Sequence, residues 1–226
     1  MDRGNGWDDS AEAWIADMGE EGDFSRRHVL DAPMLARIRG RGFRNALDVG
    51  CGEGRFCRML AAEGIAATGI DPTPKLIEAA RSRDDKGRYV QARAEALPLP
   101  DAGFDLVVSY LTLIDIDDIR AAIAEMGRVL RPGGSLLVAN LNSFSTAGGW
   151  NGDPGTGYLI DNYLDERAEW VSWRGILIRN WHRPFHAYMQ ALLAQGLRLV
   201  HFDEPAPQGG DPERAPYLHL MEWVRD

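Results

Sequence analysis

The sequence predicts a doubly wound, mostly parallel α/β sheet of seven strands, and three observations carry that expectation. Short apolar runs alternate with helix-periodic stretches from Asn45 to Asn140; the first run breaks into glycines at Gly50, Gly52 and Gly54; the second ends in an acid, Asp71. Alternating strand and helix patterns imply parallel strands joined by helical crossovers, with ligands gathered at the carboxyl ends of the strands. A strand that breaks into glycines and restarts as a helix can bring its backbone against a ligand. Gly tolerates positive φ and lacks the Cβ that would hold a ligand off, and the free amides at the helix start donate hydrogen bonds.

In chain order, residues 10–39 read as helical, with Ser10 as the N-cap and Ala11, Trp14, Ile15 and Met18 at helical spacing. A second helical run passes through Val29, Leu30, Leu35 and Ile38, and residues 19–23 break the two. Asn45 to Gly50 is the first strand, followed by a helix through Phe56, Met59 and Leu60 that ends near Gly64. Ile65 to Ile70 is the second strand, and Pro74 opens a helix with Leu76, Ile77 and Ala80 on one face. Arg88 to Ala92 and Phe104 to Ser109 are the third and fourth strands, the latter continuously apolar like a strand covered on both faces. A helix from about Asp117 to Leu130 stops at Arg131-Pro-Gly-Gly134, before a fifth strand from Ser135 to Asn140. Leu197 to Phe202 and Tyr217 to Val224 complete the seven.

The chain of 226 residues suits a single domain spanning 1–226, with residues 1–40 as an N-terminal helical cap. Residues 142–182 depart from the pattern, being rich in Gly and in aromatics such as Phe144, Trp150, Tyr158, Tyr163, Trp170, Trp173 and Trp181. This insertion follows the fifth strand and so starts at the ligand edge of the sheet. It fits either a substrate wall or lid, or a satellite sheet packed on itself.

Composition excludes some functions. With 34 acidic against 25 basic side chains the net charge is −9, which argues against a nucleic-acid partner. The cluster Arg37, Arg39, Arg41 and Arg44 reads as a solvated helix end. Cys51 and Cys57 are too few and wrongly spaced for a zinc site, and they suggest a reducing compartment. Neither a membrane-length apolar stretch nor a signal-peptide core is present, so no membrane is expected and the location is expected to be cytoplasmic.

The glycine turn alone is a weak signal, because NAD and FAD sites use a similar turn with an acid about 20 residues on. Four successive segments narrow the reading: Leu47-Asp-Val-Gly-Cys-Gly-Glu-Gly54, Gly69-Ile-Asp-Pro-Thr-Pro74, Ala94-Glu-Ala-Leu-Pro-Leu-Pro-Asp-Ala-Gly-Phe-Asp-Leu-Val-Val-Ser109, and Arg128-Val-Leu-Arg-Pro-Gly-Gly-Ser-Leu-Leu-Val138. In order and spacing, over roughly residues 45–140, they resemble the class I S-adenosylmethionine-dependent methyltransferases. The likeness is to the small-molecule type often grouped with the ubiquinone and menaquinone methyltransferases.

The resemblance implies S-adenosyl-L-methionine as cofactor, a Rossmann-like methyltransferase sheet, and a last strand inserted antiparallel beside the fifth. It implies that Gly50, Cys51 and Gly52 run beside the methionine part of the cofactor and that Asp48 reaches toward its amino group. Asp71 takes the ribose hydroxyls, though it also fits a helix N-cap. Pro72 and Thr73 lie along the adenine, and Ser109 brings backbone near the sulfonium. Relatives usually carry an acid where Arg93 stands, and Arg cannot accept a hydrogen bond. Adenine is then held by the Ala94 backbone and Glu95, or Arg93 stacks on it. Arg27 or its neighbour Arg26 pairs with the methionine carboxylate.

His182, in Trp181-His-Arg-Pro-Phe-His186, is the candidate general base, with His186, His28 and Tyr163 in reserve. His201 and His219 fall in expected strands and belong to core or surface. The expected activity is methyl transfer to an O, N or C atom of a small-molecule acceptor. An NAD-dependent oxidoreductase lacks its Tyr-x-x-x-Lys pair here, since Lys occurs only at 75 and 86. Ser109-Tyr-Leu-Thr112 stands where adenine and glutamine methylases carry Asn-Pro-Pro-Tyr. A non-catalytic cofactor-binding regulatory or assembly protein remains the second reading.

Overall fold

The strand Phe104–Tyr110 is buried at every position, the mark of a parallel strand covered on both faces. It is β4 of a seven-stranded sheet in a computed structural model that describes residues 4–150, 157–207 and 215–226, the Trp150 side chain excepted. The other strands of this sheet are β1 (Asn45–Val49), β2 (Ala66–Asp71), β3 (Arg88–Gln91), β5 (Leu130–Leu141), β10 (Leu197–Asp203) and β11 (Leu218–Arg225). Their order is β10-β11-β5-β4-β1-β2-β3. β11 runs antiparallel to both β5 and β10, as the family likeness implied, and the ladders among β1 to β5 are parallel.

Strand alternation divides the core in two. On one face Val107, Leu136, Val138, Met221 and Trp223 pack with α5 (Ile119–Val129) and α7 (Phe185–Leu193). On the other, Leu106, Val108, Leu137, Ala139 and Leu220 pack with α3 (Arg55–Ala62) and the N-terminal helices. Helix α4 (Pro74–Arg83) covers β2 and β3. In α5, Ile119, Ala122, Ile123, Met126 and Val129 are buried at helical spacing, and Asp118 Oδ1 caps it by accepting from the amides of Arg120 and Ala121. The fifth strand begins earlier than the turn residues suggest. Leu130 pairs with Phe104, residues 131–134 loop out with Gly133 at φ 75°, and pairing resumes at Ser135 opposite Leu106.

The N-terminal segment forms α1 (Trp7–Met18), a π-helical turn (Arg26–Leu30) and α2 (Asp31–Ala36). Ser10 is not the N-cap. Helix α1 starts from Gly6 in the left-handed region, and the Ser10 hydroxyl accepts from the amide of Leu177 and donates to its carbonyl, each at 3.0 Å.

The insertion contains α6 (Ser143–Thr146), the paired β6 (Gly148–Trp150) and β7 (Tyr158–Ile160), and a longer hairpin of β8 (Arg167–Trp173) and β9 (Ile176–His182). Residues 151–156 of that segment lie outside the described residues. The β8–β9 hairpin does not pack only on itself: Ile176 and Ile178 join Ala11, Trp14 and Met18 of α1 in a separate cluster above the sheet.

Candidate cofactor and acceptor cavity

At the carboxyl ends of β1, β2 and β4 the chain leaves a cavity roofed by α1. Its floor is the turn after β1. Gly50, Gly52 and Gly54 all take positive φ (76°, 55° and 80°), which keeps the turn close to β2, where the amides of Gly50 and Cys51 donate to the Ile70 carbonyl. Among the expected residues, Asp48, Gly50, Cys51, Gly52, Asp71, Pro72, Thr73, Ala94 and Glu95 line this cavity.

Asp71 ends β2 and is buried. Its Oδ2 accepts from the Gly52 amide at 3.1 Å and its Oδ1 from the Thr73 amide at 2.9 Å, so it ties the glycine turn to the start of α4. The helix N-cap position belongs to Thr73. Burial pushes the Asp71 carboxyl up to about 6, against the pull of those two amides. Asp48 is buried below the turn; Cys57 Sγ donates to its Oδ2 at 3.6 Å, and its Oδ1 has no partner. Burial, more than any neighbour, pushes it up to about 7.

Of the pair Arg26 and Arg27, it is Arg26 that lines the cavity. Arg26 pairs with Asp23 at 2.7 Å, and its guanidinium carbon lies 5.7 Å from the ring centroids of both Trp14 and Tyr110. Arg27 points away and pairs with Glu21 at 2.9 Å. Consecutive residues on a helical turn diverge, and only one of an arginine pair can face the cavity. Arg93 stands at the cavity mouth, 60% exposed and held by Glu95 at 2.7 Å.

Two other expectations are corrected. Ser109 is fully buried within β4 and does not line the cavity, because β4 extends to Tyr110; the wall there is Tyr110, Leu111 and Thr112. His182 is buried at the end of β9, outside the cavity. Its Nε2 donates to the Tyr163 carbonyl at 2.8 Å, and its Nδ1 is in hydrogen-bond contact with the Thr146 hydroxyl, also at 2.8 Å. With both nitrogens committed it bolts the insertion together and is not positioned as a base. His186 and His28 are exposed, the latter against Phe24, and Tyr163 accepts from the Phe185 amide.

Sequence reasoning passed over the loop after β4. Asp115, Ile116 and Asp117 line the cavity, and Asp115 Oδ1 accepts from the Asn180 amide of β9. Burial pushes the Asp115 carboxyl up to about 8. Asp117 is held by Arg179 and by the Trp181 indole at 3.0 Å. Beneath this loop the buried Arg183 donates to three of its carbonyls, those of Leu113 at 3.2 Å, Ile116 at 2.7 Å and Asp117 at 2.8 Å, with Trp181 stacked 4.4 Å away. The available signal was the acidic run Asp115-Ile-Asp-Asp118 at the ligand edge. Among the described residues no cluster of His, Cys, Asp and Glu could hold a metal ion.

Comparison with known proteins bears on this geometry. Residues 47–138 match the methyltransferase domain family. A malonyl-[acyl-carrier protein] O-methyltransferase from Enterobacter lignolyticus is 39% identical over 116 residues, covering 51% of this chain and 46% of that protein. A demethylmenaquinone methyltransferase from Tropheryma whipplei is 36% identical over 98 residues, covering 42% of this chain and 41% of that protein. The chain thus spans less than half the length of these curated relatives. The crystal structure of an S-adenosylmethionine dependent methyltransferase from Mesorhizobium loti matches with a TM-score of 0.73 at 27% identity, over 85% of this chain and 96% of that one.

Proposed function

We propose, from the premise that residues 47–138 are a methyltransferase domain of the S-adenosylmethionine-dependent class, that this chain transfers a methyl group to an O, N or C atom of a small-molecule acceptor. The observation that carries the reading is one cavity in which the glycine turn, Asp48, Asp71 and Arg26 converge at the carboxyl edge of the sheet. The residues fit the cofactor. A Cβ at Gly50 would lie 2.1 Å from Thr112 Cγ2, so the turn and the wall after β4 pack together only with glycine there, and Asp48 carries an unpartnered buried oxygen.

Asp71 would accept from the vicinal ribose hydroxyls with the lone pairs its two amide bonds leave free. Asp48 would take the amino group and Arg26 the carboxylate of the methionine part. The carboxylate is a better match for Arg26 than for the outward-facing Arg27. Pro72, Thr73, Ala94 and Glu95 would flank the adenine, and Arg93, already committed to Glu95, would close its outer edge. When bound, the cofactor supplies a methyl group on a sulfonium, a good leaving group for in-line displacement. The chain's own task is then chiefly alignment and exclusion of water, and α1 with the β8–β9 hairpin would wall the acceptor side.

The acidic balance of the chain supports a small acceptor over a nucleic acid. Two free, buried cysteines support a cytoplasmic location, and no helix among the described residues is long and apolar enough to cross a membrane. Calorimetric titration with S-adenosylmethionine and S-adenosylhomocysteine tests the cofactor site. Wild type should bind both, and Asp71→Ala should weaken both at least about tenfold. Absence of binding at millimolar ligand would overturn the reading. Incorporation of labelled methyl into carboxylic, phenolic or amine acceptors then tests the transfer. Binding with no transfer to any of them would favour the second reading, a cofactor-binding regulatory or assembly protein.

A further inference from the structure

Arg55, the first residue of α3, lines the same cavity as Arg26 and carries no part of the proposed cofactor site. Its guanidinium meets the segment that bears Arg26 on both sides of that residue. Ahead of Arg26, the bend at Gly22 lies directly against it: Gly22 takes φ 91°, and a Cβ there would fall 2.8 Å from Arg55 Nε and 3.3 Å from Arg26 Cβ. Beyond Arg26, Asp31 at the start of α2 accepts from both terminal nitrogens, Oδ1 from Nη1 at 3.0 Å and Oδ2 from Nη2. The two side chains are 11% and 15% exposed, so salt and water screen the pair little.

Asp31 extends the contact to the cavity wall. Its Oδ1 also accepts from the Tyr110 hydroxyl at 2.8 Å, and Phe56, next to Arg55 on α3, meets the Tyr110 ring in a T-shaped contact at 4.9 Å between centroids. The ring held in this way is one of the two that lie 5.7 Å from the Arg26 guanidinium carbon, the other being Trp14 of α1. We propose that Arg55 is a positioning residue: by holding Gly22, Asp31 and, through Asp31, Tyr110, it fixes the Arg26 guanidinium where the carboxylate of a bound cofactor meets it. This rests on the cofactor reading above. An arginine–carboxylate contact is directional, and a guanidinium already held in place loses less freedom when it forms. The Arg55 fork is itself spent on Asp31, so it acts on the ligand through Arg26.

The test compares two ligands, S-adenosylhomocysteine and 5′-methylthioadenosine, which share the adenosine and the sulfur and differ in the amino-acid end. Calorimetry on Arg55→Met should show affinity for S-adenosylhomocysteine down about tenfold and affinity for 5′-methylthioadenosine within about twofold of wild type. Arg26→Ala should show the same split, and the double variant should lose no more than Arg26→Ala alone, because both changes remove one contact. Tyr110→Phe, which keeps the ring and drops the hydroxyl, should show a weaker split and serves if Arg55→Met does not fold. Equal losses for both ligands, no change for either, or additive losses in the double variant would overturn the proposal and leave the cofactor reading standing. Wild type that binds neither ligand would instead remove the cofactor reading, and this proposal with it.

Discussion

Gly50 illustrates how much a single position carries. Its φ of 76° already disfavours any side chain, and an added Cβ would meet three atoms of Thr112 at 2.1 to 2.8 Å. Thr112 sits on the wall opposite, its hydroxyl 3.4 Å from the Gly50 carbonyl, so relief means pushing the post-β4 loop away from the turn. Gly50→Ala should therefore cost roughly 1–3 kcal/mol of stability from the backbone alone and abolish measurable cofactor binding. Thermal unfolding and calorimetry on the same sample separate the two effects. A variant that unfolds like wild type and binds normally would show the turn to be looser than its geometry. Neighbouring residues teach a related lesson: Arg26 and Arg27 are chemically equal in the sequence, and only the phase of the π-turn decides which one meets Trp14 and Tyr110.

At the scale of elements, β9 and the loop after β4 are joined through Arg183. Its guanidinium is 1% exposed and supplies the donors for three loop carbonyls, two of them in buried bonds. Arg183→Met should destabilise the protein by about 3 kcal/mol, read from the denaturant midpoint, and lower cofactor affinity because Asp115 and Asp117 ride on that loop. Arg183→Lys should recover only part, since an ammonium cannot reproduce the fork. A wild-type midpoint for Arg183→Met would mean the loop holds its shape unaided. The elements themselves were largely legible: all seven strands of the main sheet were expected where they occur, and the stop at Arg131-Pro-Gly-Gly134 marked the end of α5. What the sequence could not disclose depends on partners far along the chain. Ser10 looks like a cap until Leu177 takes its hydroxyl, His182 looks like a base until Tyr163 and Thr146 occupy its ring, and Asp115 gains meaning only when Asn180 arrives beside it.

Across the whole molecule, the buried carboxylates make stability and cofactor binding depend on pH with opposite signs. Unfolded carboxyls titrate near 3.8, whereas Asp48 and Asp71 hold their protons to about 7 and about 6 in the fold. The native state binds more protons between those values, so this contribution is complete below about pH 4 and is lost as pH rises through 6 to 7. His219, buried and pushed down to about 4 from 6.5, acts the other way: its neutral form is favoured in the fold, and stability is lost as pH falls below 6.5. Pairing with an ammonium and a ribose calls for ionised Asp48 and Asp71, so the thermal shift caused by S-adenosylmethionine should grow from pH 6 to pH 7.5. A shift that is flat or shrinks over that interval would argue that neither carboxylate meets the ligand in its charged form.

β11 lies between β5 and β10, antiparallel to both, yet it comes from residues 218–225. A chain leaving the ribosome completes β1 to β5 long before that strand exists, with Leu136, Leu137, Val138 and Ala139 on an edge that is interior in the finished sheet. The aromatic insertion and β10 must be synthesised while this edge waits unpaired, and β10 has no neighbour to dock against until β11 slots between them. Within this sheet the edge of β5 is thus synthesised well before the strand that covers it, and an unpaired apolar edge is the kind of surface that mispairs with another chain.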